Sequence, residues 1–341
     1  YLGSLPHPAA ADMLARQQEV KVVHLKNEQP EDELWQGFAT AHAYHVRAAR
    51  DELAKPFHVH ETFLDRAPEL LIASSTGAGY DPIDVDACTA RGIAVVNQAG
   101  GNKEAVAEHA LGMMLFLAKR IGEADHALRR GEVTSREALM GHNIQGKTLG
   151  VVGIGNVGAR LTELAGTLFG MRVLAYDPLL SDEEIRARGG WPVPFAELLA
   201  ESDYISVHCP RTKDSAGMFD AAAFAQMKKG AYFITTARGG IHDEPALVAA
   251  LQSGHVAGAG LDVWDYEPPG PEHPLLQFDT VIGSPHTAGV THESRRDISL
   301  FGVEQLLGMF AGERPPRLIN PEVWPAYSRR FEQAFGFQPK P

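Results

Sequence analysis

The sequence has few cysteines, no excess of basic charge and no long apolar run. Its two cysteines, Cys88 and Cys209, resemble neither a metal cluster nor a disulfide framework, which favours a reducing, cytoplasmic compartment. Lys and Arg number 31 against 43 Asp and Glu, so the net charge is −12 and a general attraction to nucleic acid is not expected. Neither a signal pattern nor a membrane-spanning run of roughly 18 to 20 apolar residues is present. We therefore expect a soluble protein that binds no metal, nucleic acid or membrane, and binds anionic ligands only locally.

Short β-branched runs alternate with helical stretches along almost all of the 341 residues. Apolar runs of this kind are typical of strands buried on both faces, and strand–helix alternation predicts parallel sheets with helical crossovers. At about 150 residues per domain, the length suggests two domains. The predicted strands fall in two sets, 20–25, 43–47, 70–75 and 93–97, then 148–155, 172–177, 204–209, 231–237, 256–263 and 280–285.

One long predicted helix, 104–131, lies between the two sets of strands, and a second, 294–312, follows the last strand. The second helix ends at Gly312 and Pro315 and would return the chain to the first domain. We therefore predict that a domain of residues 111–299 is inserted into a discontinuous domain of residues 1–110 and 300–341.

A dinucleotide-binding pattern begins at the first strand of the second set. Gly153, Gly155 and Gly158 form G-x-G-x-x-G between an apolar run and an amphipathic helix. In this context the glycines permit a tight turn, close approach of backbone to a pyrophosphate, and close helix–strand packing. The amides of Asn156 and Val157 would then face the pyrophosphate at the positive end of the helix.

Asp177 follows the next predicted strand. There a carboxylate accepts hydrogen bonds from the adenosine ribose hydroxyls and repels a 2′-phosphate. Residues 178–180 include no Arg or Lys. The predicted cofactor is therefore NAD rather than NADP.

Ionisable residues follow three late strands, in the segments TTARGG, LDVWDYEPP and SPHTAG. They are Arg238, Glu267 and His286, and ligands of open α/β sheets bind at such strand ends. Beside a nicotinamide, these residue types form an anion clamp and an oriented acid–base pair. Glu267 would favour the charged form of His286 and raise its pKa.

With these motifs and TGAGYDPIDVDACTARGIAVVN, EAVAEHALGMMLFLAKR and SVHCPRTKDSAGM, the chain resembles the D-isomer-specific 2-hydroxyacid dehydrogenase family. The resemblance implies an α/β fold of two doubly wound parallel-sheet domains, a Rossmann NAD-binding domain inserted into a flavodoxin-like substrate domain. It implies that Arg238, Glu267 and His286 are catalytic, with Arg238 and His286 also touching cofactor and substrate. By the same resemblance, the other cofactor contacts are Asp262 to the nicotinamide carboxamide, Cys209 and Pro210 beside the adenosine, Thr236 and Ala237 at the nicotinamide ribose, and Gly289 at the reactive end.

The substrate implied is a small D-2-hydroxy acid or its 2-keto acid. Arg238 would hold its carboxylate and polarise its carbonyl, and the backbone amides of Ala78 and Gly79 would hold the carboxylate's other side. Glu267 argues against formate dehydrogenases, which resemble this family but have Gln in that position. Ala78 argues against phosphite-oxidising relatives, which have Lys there.

The second hypothesis is phosphoglycerate dehydrogenase. These enzymes usually have an Arg for the substrate phosphate near the position that the neutral Ser75 occupies here. Arg47 could reach the site from a neighbouring strand end instead. Many also carry a C-terminal regulatory domain, which we do not expect here because the chain stops soon after Phe337. A third hypothesis, from another class, is an NAD(H)-sensing binding protein like the corepressors that share this fold.

A homodimer is expected from the first long helix. Its residues 113–117 read MMLFL, more apolar surface than one intrachain face easily buries. Relatives in the family are commonly dimers.

Overall fold

The structure is a computed structural model that describes residues 1–3, 5, 7–48 and 53–341. The described residues form two compact units. The first comprises Tyr1–Asn102 and Val290–Pro341, and the second is Lys103–Gly289. These bounds lie several residues from the predicted ones at 110 and 300. The assignment of substrate binding to one domain and NAD binding to the other stays a prediction.

Strands and helices alternate along the described chain. The strands are β1 (Ala43–Val46), β2 (Ile72–Ser75), β3 (Ala94–Val96), β4 (Thr148–Val152), β5 (Arg172–Tyr176), β6 (Trp191–Pro192), β7 (Tyr204–Val207), β8 (Ala231–Thr235), β9 (Val256–Leu261) and β10 (Val281–Gly283). The α-helices are α1 (Pro8–Ala15), α2 (Glu31–Ala39), α3 (Glu61–Leu64), α4 (Val85–Ala90), α5 (Lys103–Ala118), α6 (Ile121–Arg130), α7 (Asn156–Phe169), α8 (Asp182–Ala187), α9 (Phe195–Glu201), α10 (Ala221–Gln226), α11 (Glu244–Gln252), α12 (His292–Phe310) and α13 (Trp324–Phe335). No helix among these residues is long and apolar enough to cross a membrane.

The second unit is built on a parallel sheet in the order β10-β9-β8-β7-β4-β5-β6. From β4 the chain winds outward through β5 and β6, then returns to the other side of β4 and continues through β7 to β10. The order therefore reverses between β4 and β7, the position where open α/β sheets bind ligands beyond their carboxyl ends. Apolar clusters that include Phe233 on one side and Leu161 on the other cover the sheet. The predicted α/β class with parallel sheets is confirmed.

The first unit has a parallel sheet of three described strands in the order β1-β2-β3. Aromatic side chains such as Phe38 and Phe63 pack on one side, while Tyr327 and Phe331 of α13 pack on the other. The strand predicted at residues 20–25 is wrong. Only Leu25 of that run forms a bridge, and Val22 is 42% exposed, because none of β1–β3 lies beside the run to accept its hydrogen bonds.

The long helix predicted over residues 104–131 is instead two helices, α5 and α6. The helix is interrupted at Arg120, which has a left-handed φ of 52°. The Arg120 guanidinium donates to the Glu123 carboxylate and to the Ala138 carbonyl, which holds this conformation. The apolar side chains behind the dimer prediction are mostly used inside the unit: Met113, Met114 and Leu117 are buried, and residues 115 and 116 are half-buried.

Candidate active site

A glycine turn follows β4. Gly153 has a φ of +88°, and a Cβ there would lie 2.6 Å from the Cys209 amide nitrogen, so only glycine lets the turn meet the end of β7. A Cβ at Gly158 would lie 2.2 Å from the Gly153 carbonyl oxygen, which shows how closely α7 packs on the turn. Around Gly155, in contrast, a Cβ would meet nothing within 4 Å. The turn therefore has tight packing on two sides and open space at Gly155, as a bound pyrophosphate requires.

The first turn of α7 faces this open space. Its N-cap residue is Gly155, and no side chain caps the helix, so the leading amides, including those of Asn156 and Val157, are not satisfied by a capping group. The Asp177 carboxylate, half-buried after β5, accepts from the amides of Ile154 and Leu179, each at 3.1 Å. These residues fit a dinucleotide: the amides suit its phosphates, and the remaining lone pairs of Asp177 suit ribose hydroxyls.

An ion pair joins His286 and Glu267. The imidazole Nδ1 lies 2.7 Å from the Glu267 carboxylate, and the side chains are 32% and 21% exposed. The hydrogen bond that His286 donates to Glu267 raises the pKa of His286, although burial and the charge of Arg238 oppose this. Burial alone would raise the pKa of Glu267, but the bonds from His286 and the Trp264 amide lower it overall. Such a pair keeps a proton on the imidazole above the ordinary histidine pKa.

The loop that carries Glu267 is fixed by its backbone. The Trp264 amide donates to the Glu267 carboxylate at 3.0 Å, and the Asp265 amide donates to the Glu244 carboxylate at 2.9 Å. Glu244 also bonds to His273 at 3.1 Å. A Cβ at Gly239 would lie 1.9 Å from the Trp264 carbonyl oxygen, so glycine is required where this loop packs against the segment after β8. Glu267 is therefore held before any ligand binds.

Asp262 organises the turn that carries His286. Its carboxylate accepts from the Ser284 hydroxyl at 2.6 Å, the Thr287 amide at 2.7 Å and the Ala288 amide at 3.0 Å. The His286 amide donates to the Asp262 carbonyl, and His286 has a left-handed φ of 54°. A non-glycine residue adopts this conformation only where its surroundings enforce it. Gly289, the last residue of the unit, follows this turn.

The remaining predicted contacts of this unit lie at the carboxyl ends of β7 and β8. Thr236 and Ala237 are buried after β8, Cys209 is half-buried after β7, and Pro210 is exposed. The Arg238 guanidinium donates to the Ala237 carbonyl at 2.7 Å. Its charge acts on the pKa of both His286 and Glu267, so it is electrostatically part of the same cluster.

A second glycine turn follows β2 in the first unit. Its carbonyls are all occupied: Gly77 accepts from the Gln98 amide, Ala78 from the Asn97 side chain, and Gly79 from the Ser75 hydroxyl. Within the described part of the chain, neither the Ala78 nor the Gly79 amide has a partner. The turn thus offers two donors suited to an anion. That they hold the substrate carboxylate stays a prediction.

The second unit therefore brings together a dinucleotide-type turn, a fixed guanidinium and a carboxylate–imidazole pair. Together these groups have the parts for transferring a proton beside a bound dinucleotide. Residues 111–288 match the family model described as D-isomer specific 2-hydroxyacid dehydrogenase, NAD binding domain. The chain belongs to the D-isomer specific 2-hydroxyacid dehydrogenase family. The prediction of NAD as the cofactor is confirmed.

Among its relatives in this family, a D-3-phosphoglycerate dehydrogenase of Archaeoglobus fulgidus is 41% identical over 264 residues, which are 77% of this chain and 50% of the relative. A glyoxylate reductase of Korarchaeum cryptofilum is 38% identical over 76% of this chain and 79% of its own. The chain thus spans about half the length of the phosphoglycerate dehydrogenases that it matches.

Solved structures of relatives have the same fold over most of the chain. A glyoxylate reductase from Paecilomyes thermophila superposes with a TM-score of 0.82 at 28% identity, covering 94% of this chain and 97% of that one. A D-lactate dehydrogenase from Aquifex aeolicus, complexed with NAD and lactic acid, gives a TM-score of 0.75 at 28% identity, covering 89% and 91%.

Sequence reasoning missed the residues that hold the site in place. Glu244 and Ser284 contact the loops of Glu267 and His286, and His109 contacts Ser284. Ser284 stands two residues before His286 in the SPHTAG segment, so that signal was available. His109 lies 175 positions from Ser284, and no spacing connects them.

Proposed function

We propose that this protein interconverts a small D-2-hydroxy acid and its 2-keto acid, with NAD as the redox partner. The observation that carries the proposal is the 2.7 Å His286–Glu267 pair in the unit that matches the family's NAD-binding domain. NAD, when bound, supplies or accepts the hydride. All other steps are assigned to the chain's own residues.

His286 is the proposed acid and base. In reduction, negative charge develops on the substrate carbonyl oxygen, and the imidazolium donates a proton to that oxygen. In oxidation, neutral His286 accepts the hydroxyl proton. Glu267 stabilises the imidazolium, and its hydrogen bond to Nδ1 leaves Nε2 as the nitrogen that exchanges the proton.

Arg238 is the proposed carboxylate-binding residue. Its planar guanidinium pairs with a carboxylate through two hydrogen bonds and polarises a neighbouring carbonyl. The bond to the Ala237 carbonyl restricts its rotation before substrate arrives. In the first unit, the amides of Ala78 and Gly79 are proposed to donate to the substrate carboxylate.

The cofactor contacts are proposed as follows. Gly153, Gly155 and Gly158 shape the turn, and the Asn156 and Val157 amides hold the pyrophosphate. For the rest of the dinucleotide we propose Asp177 at the adenosine ribose, Cys209 and Pro210 beside the adenosine, Thr236 and Ala237 at the nicotinamide ribose, Asp262 at the carboxamide, and Gly289 at the reactive end. Asp262 would accept from the carboxamide through Oδ2, which among the described residues accepts one hydrogen bond, from the Ala288 amide.

Phosphoglycerate oxidation is the second candidate. Arg47 directly follows β1, whose Val46 pairs with Ser75, and a Cβ at Gly77 would lie 2.9 Å from the Ala48 Cβ. Arg47 thus borders the anion-binding turn of the same unit and would suit a substrate phosphate. Ser75 itself is neutral and is engaged by the Gly77 amide and the Gly79 carbonyl, so it supplies no cation.

A homodimer belongs to the same proposal. Support comes from α6 and the segment after it rather than from α5: Ile121 is 49% exposed, Leu128 69% and Met140 71%. Ile121 and Leu128 lie on one face of α6, two helical turns apart, and apolar side chains exposed on one face favour a protein interface. Cytoplasmic location is proposed because both cysteines are free.

Purified protein tests the proposal directly. NADH oxidation is followed with glyoxylate, hydroxypyruvate, pyruvate and phosphohydroxypyruvate. The configuration of the product is determined by chiral chromatography for the last three acids, because reduction of glyoxylate gives an achiral product. We expect turnover with at least one unphosphorylated acid, and the D configuration wherever the product is chiral. Preference for phosphohydroxypyruvate would favour the second candidate. Tight NADH binding without turnover on any acid would contradict both and favour a binding protein that senses NAD(H).

A further inference from the structure

His109 of α5 has no part in the proposed reaction, yet it is connected to the site by hydrogen bonds. Its Nε2 lies 2.9 Å from the Ser284 hydroxyl oxygen, and that hydroxyl lies 2.6 Å from Oδ1 of Asp262. The Asp262 side chain is 1% exposed, so its orientation is set by these protein partners rather than by water.

The direction of each hydrogen bond follows from the chemistry of the groups. An ionised carboxylate only accepts, so Ser284 donates its single hydroxyl proton to Asp262. The Ser284 oxygen can then only accept from His109, whose Nε2 must carry a proton. Removing His109 leaves the serine oxygen without its donor, so that the Ser284 hydroxyl, and with it the Asp262 carboxylate, loses the restraint that comes from α5.

The packing of α5 explains how a helix residue reaches this point. Gly260 in β9 has no side chain, and a Cβ there would lie 2.9 Å from Met113. Met113 is one turn after His109 on the same helix face, so its contact draws α5 onto the sheet. His109 is thereby placed at the carboxyl ends of the strands, next to Ser284.

We infer that His109 is a positioning residue which, through Ser284, fixes the rotation of the Asp262 carboxylate. That rotation sets two things at once: the left-handed turn that presents His286, and the direction of the lone pair on Oδ2. The inference rests on the proposed function for its catalytic consequence, but not for the hydrogen-bonded connection itself.

The test compares His109→Leu, which removes the donor, with His109→Gln, whose amide nitrogen reaches a similar position and keeps one. Ser284→Ala and the double variant His109→Leu/Ser284→Ala complete a cycle. The matched control is His255→Leu. His255 lies directly before β9, whereas Asp262 lies directly after it, and the His255 ring also forms a hydrogen bond, 2.9 Å to the Met227 carbonyl.

We expect His109→Leu to lower kcat about tenfold, with KM for the keto acid changed by less than about twofold, because the acid–base group is misplaced rather than lost. NADH affinity, measured by fluorescence titration, should fall severalfold. The Gln variant should recover most of both effects. The double variant should be no worse than Ser284→Ala, because the influence of His109 passes through Ser284.

Hydrogen–deuterium exchange on the cofactor-free protein separates this inference from the proposed function. The Thr287 and Ala288 amides should exchange faster in His109→Leu than in wild type or His255→Leu. Unchanged exchange, additive effects in the double variant, or equal effects of His109→Leu and His255→Leu would overturn the role of His109. Absence of wild-type turnover would refute the proposed function alone, because the exchange result still decides the role of His109.

Discussion

Replacing Glu267 by Gln removes the charge that stabilises the protonated His286 while keeping the side chain's shape. A hydrogen bond to a charged partner contributes about 1.5–3 kcal/mol and a neutral one about 0.5–1.5 kcal/mol. The side chains are only 21% and 32% exposed, so solvent screens the pair incompletely. The variant should therefore lose about 1.4 kcal/mol of imidazolium stabilisation, or about tenfold in the rate of keto-acid reduction near neutral pH.

The loss should depend on pH in a defined direction. The pKa of His286 is raised in the wild type by its bond to Glu267, so the protonated acid persists above the ordinary histidine pKa of about 6.5. In Glu267→Gln that support is absent. The rate of keto-acid reduction should therefore begin to fall at a lower pH than in the wild type. The deficit relative to wild type should thus widen as pH rises from about 6 to about 8.

Initial rates of NADH oxidation at saturating keto acid across this range measure the effect. Asp279→Asn is the control, because Asp279 also pairs with a histidine, His126, at 3.0 Å, but on the surface. An unchanged pH profile in Glu267→Gln, or an equal shift in Asp279→Asn, would refute the assignment of Glu267.

Two further predictions concern ligand binding. Gly155→Ala should leave thermal stability nearly unchanged but weaken NADH binding about tenfold in a fluorescence titration, because its Cβ enters the space left for the pyrophosphate. Gly158→Ala should instead lower the free energy of unfolding by about 1–3 kcal/mol, because its Cβ collides with the Gly153 carbonyl. Equal loss of stability in both would contradict this distinction. Arg238→Lys should raise KM for the keto acid about tenfold, since an ammonium group cannot replace the bidentate guanidinium, and normal steady-state kinetics would reject this role.

Local motifs made much of the candidate site predictable. The glycine turn between β4 and α7 and the ionisable residues after β8, β9 and β10 each depend on a few consecutive residues, so the sequence contains them explicitly. The roles given to Arg238, Glu267 and His286 stay predictions until they are tested.

Features that depend on distant contacts were not predictable. Residues 20–25 have the composition of a buried strand, but composition does not tell whether a sheet partner is present. The break at Arg120 is set by Glu123 and the carbonyl of Ala138 rather than by a glycine or proline. Likewise, Ser284 and His109 meet only because α5 packs on β9.

Single-turnover reduction of the best keto acid by NADH-loaded wild type and His286→Ala tests the central claim most directly. Loss of the proton donor should slow hydride transfer on the order of 100-fold or more, while NADH affinity, measured in parallel, changes little. A near-normal rate in His286→Ala would contradict the account.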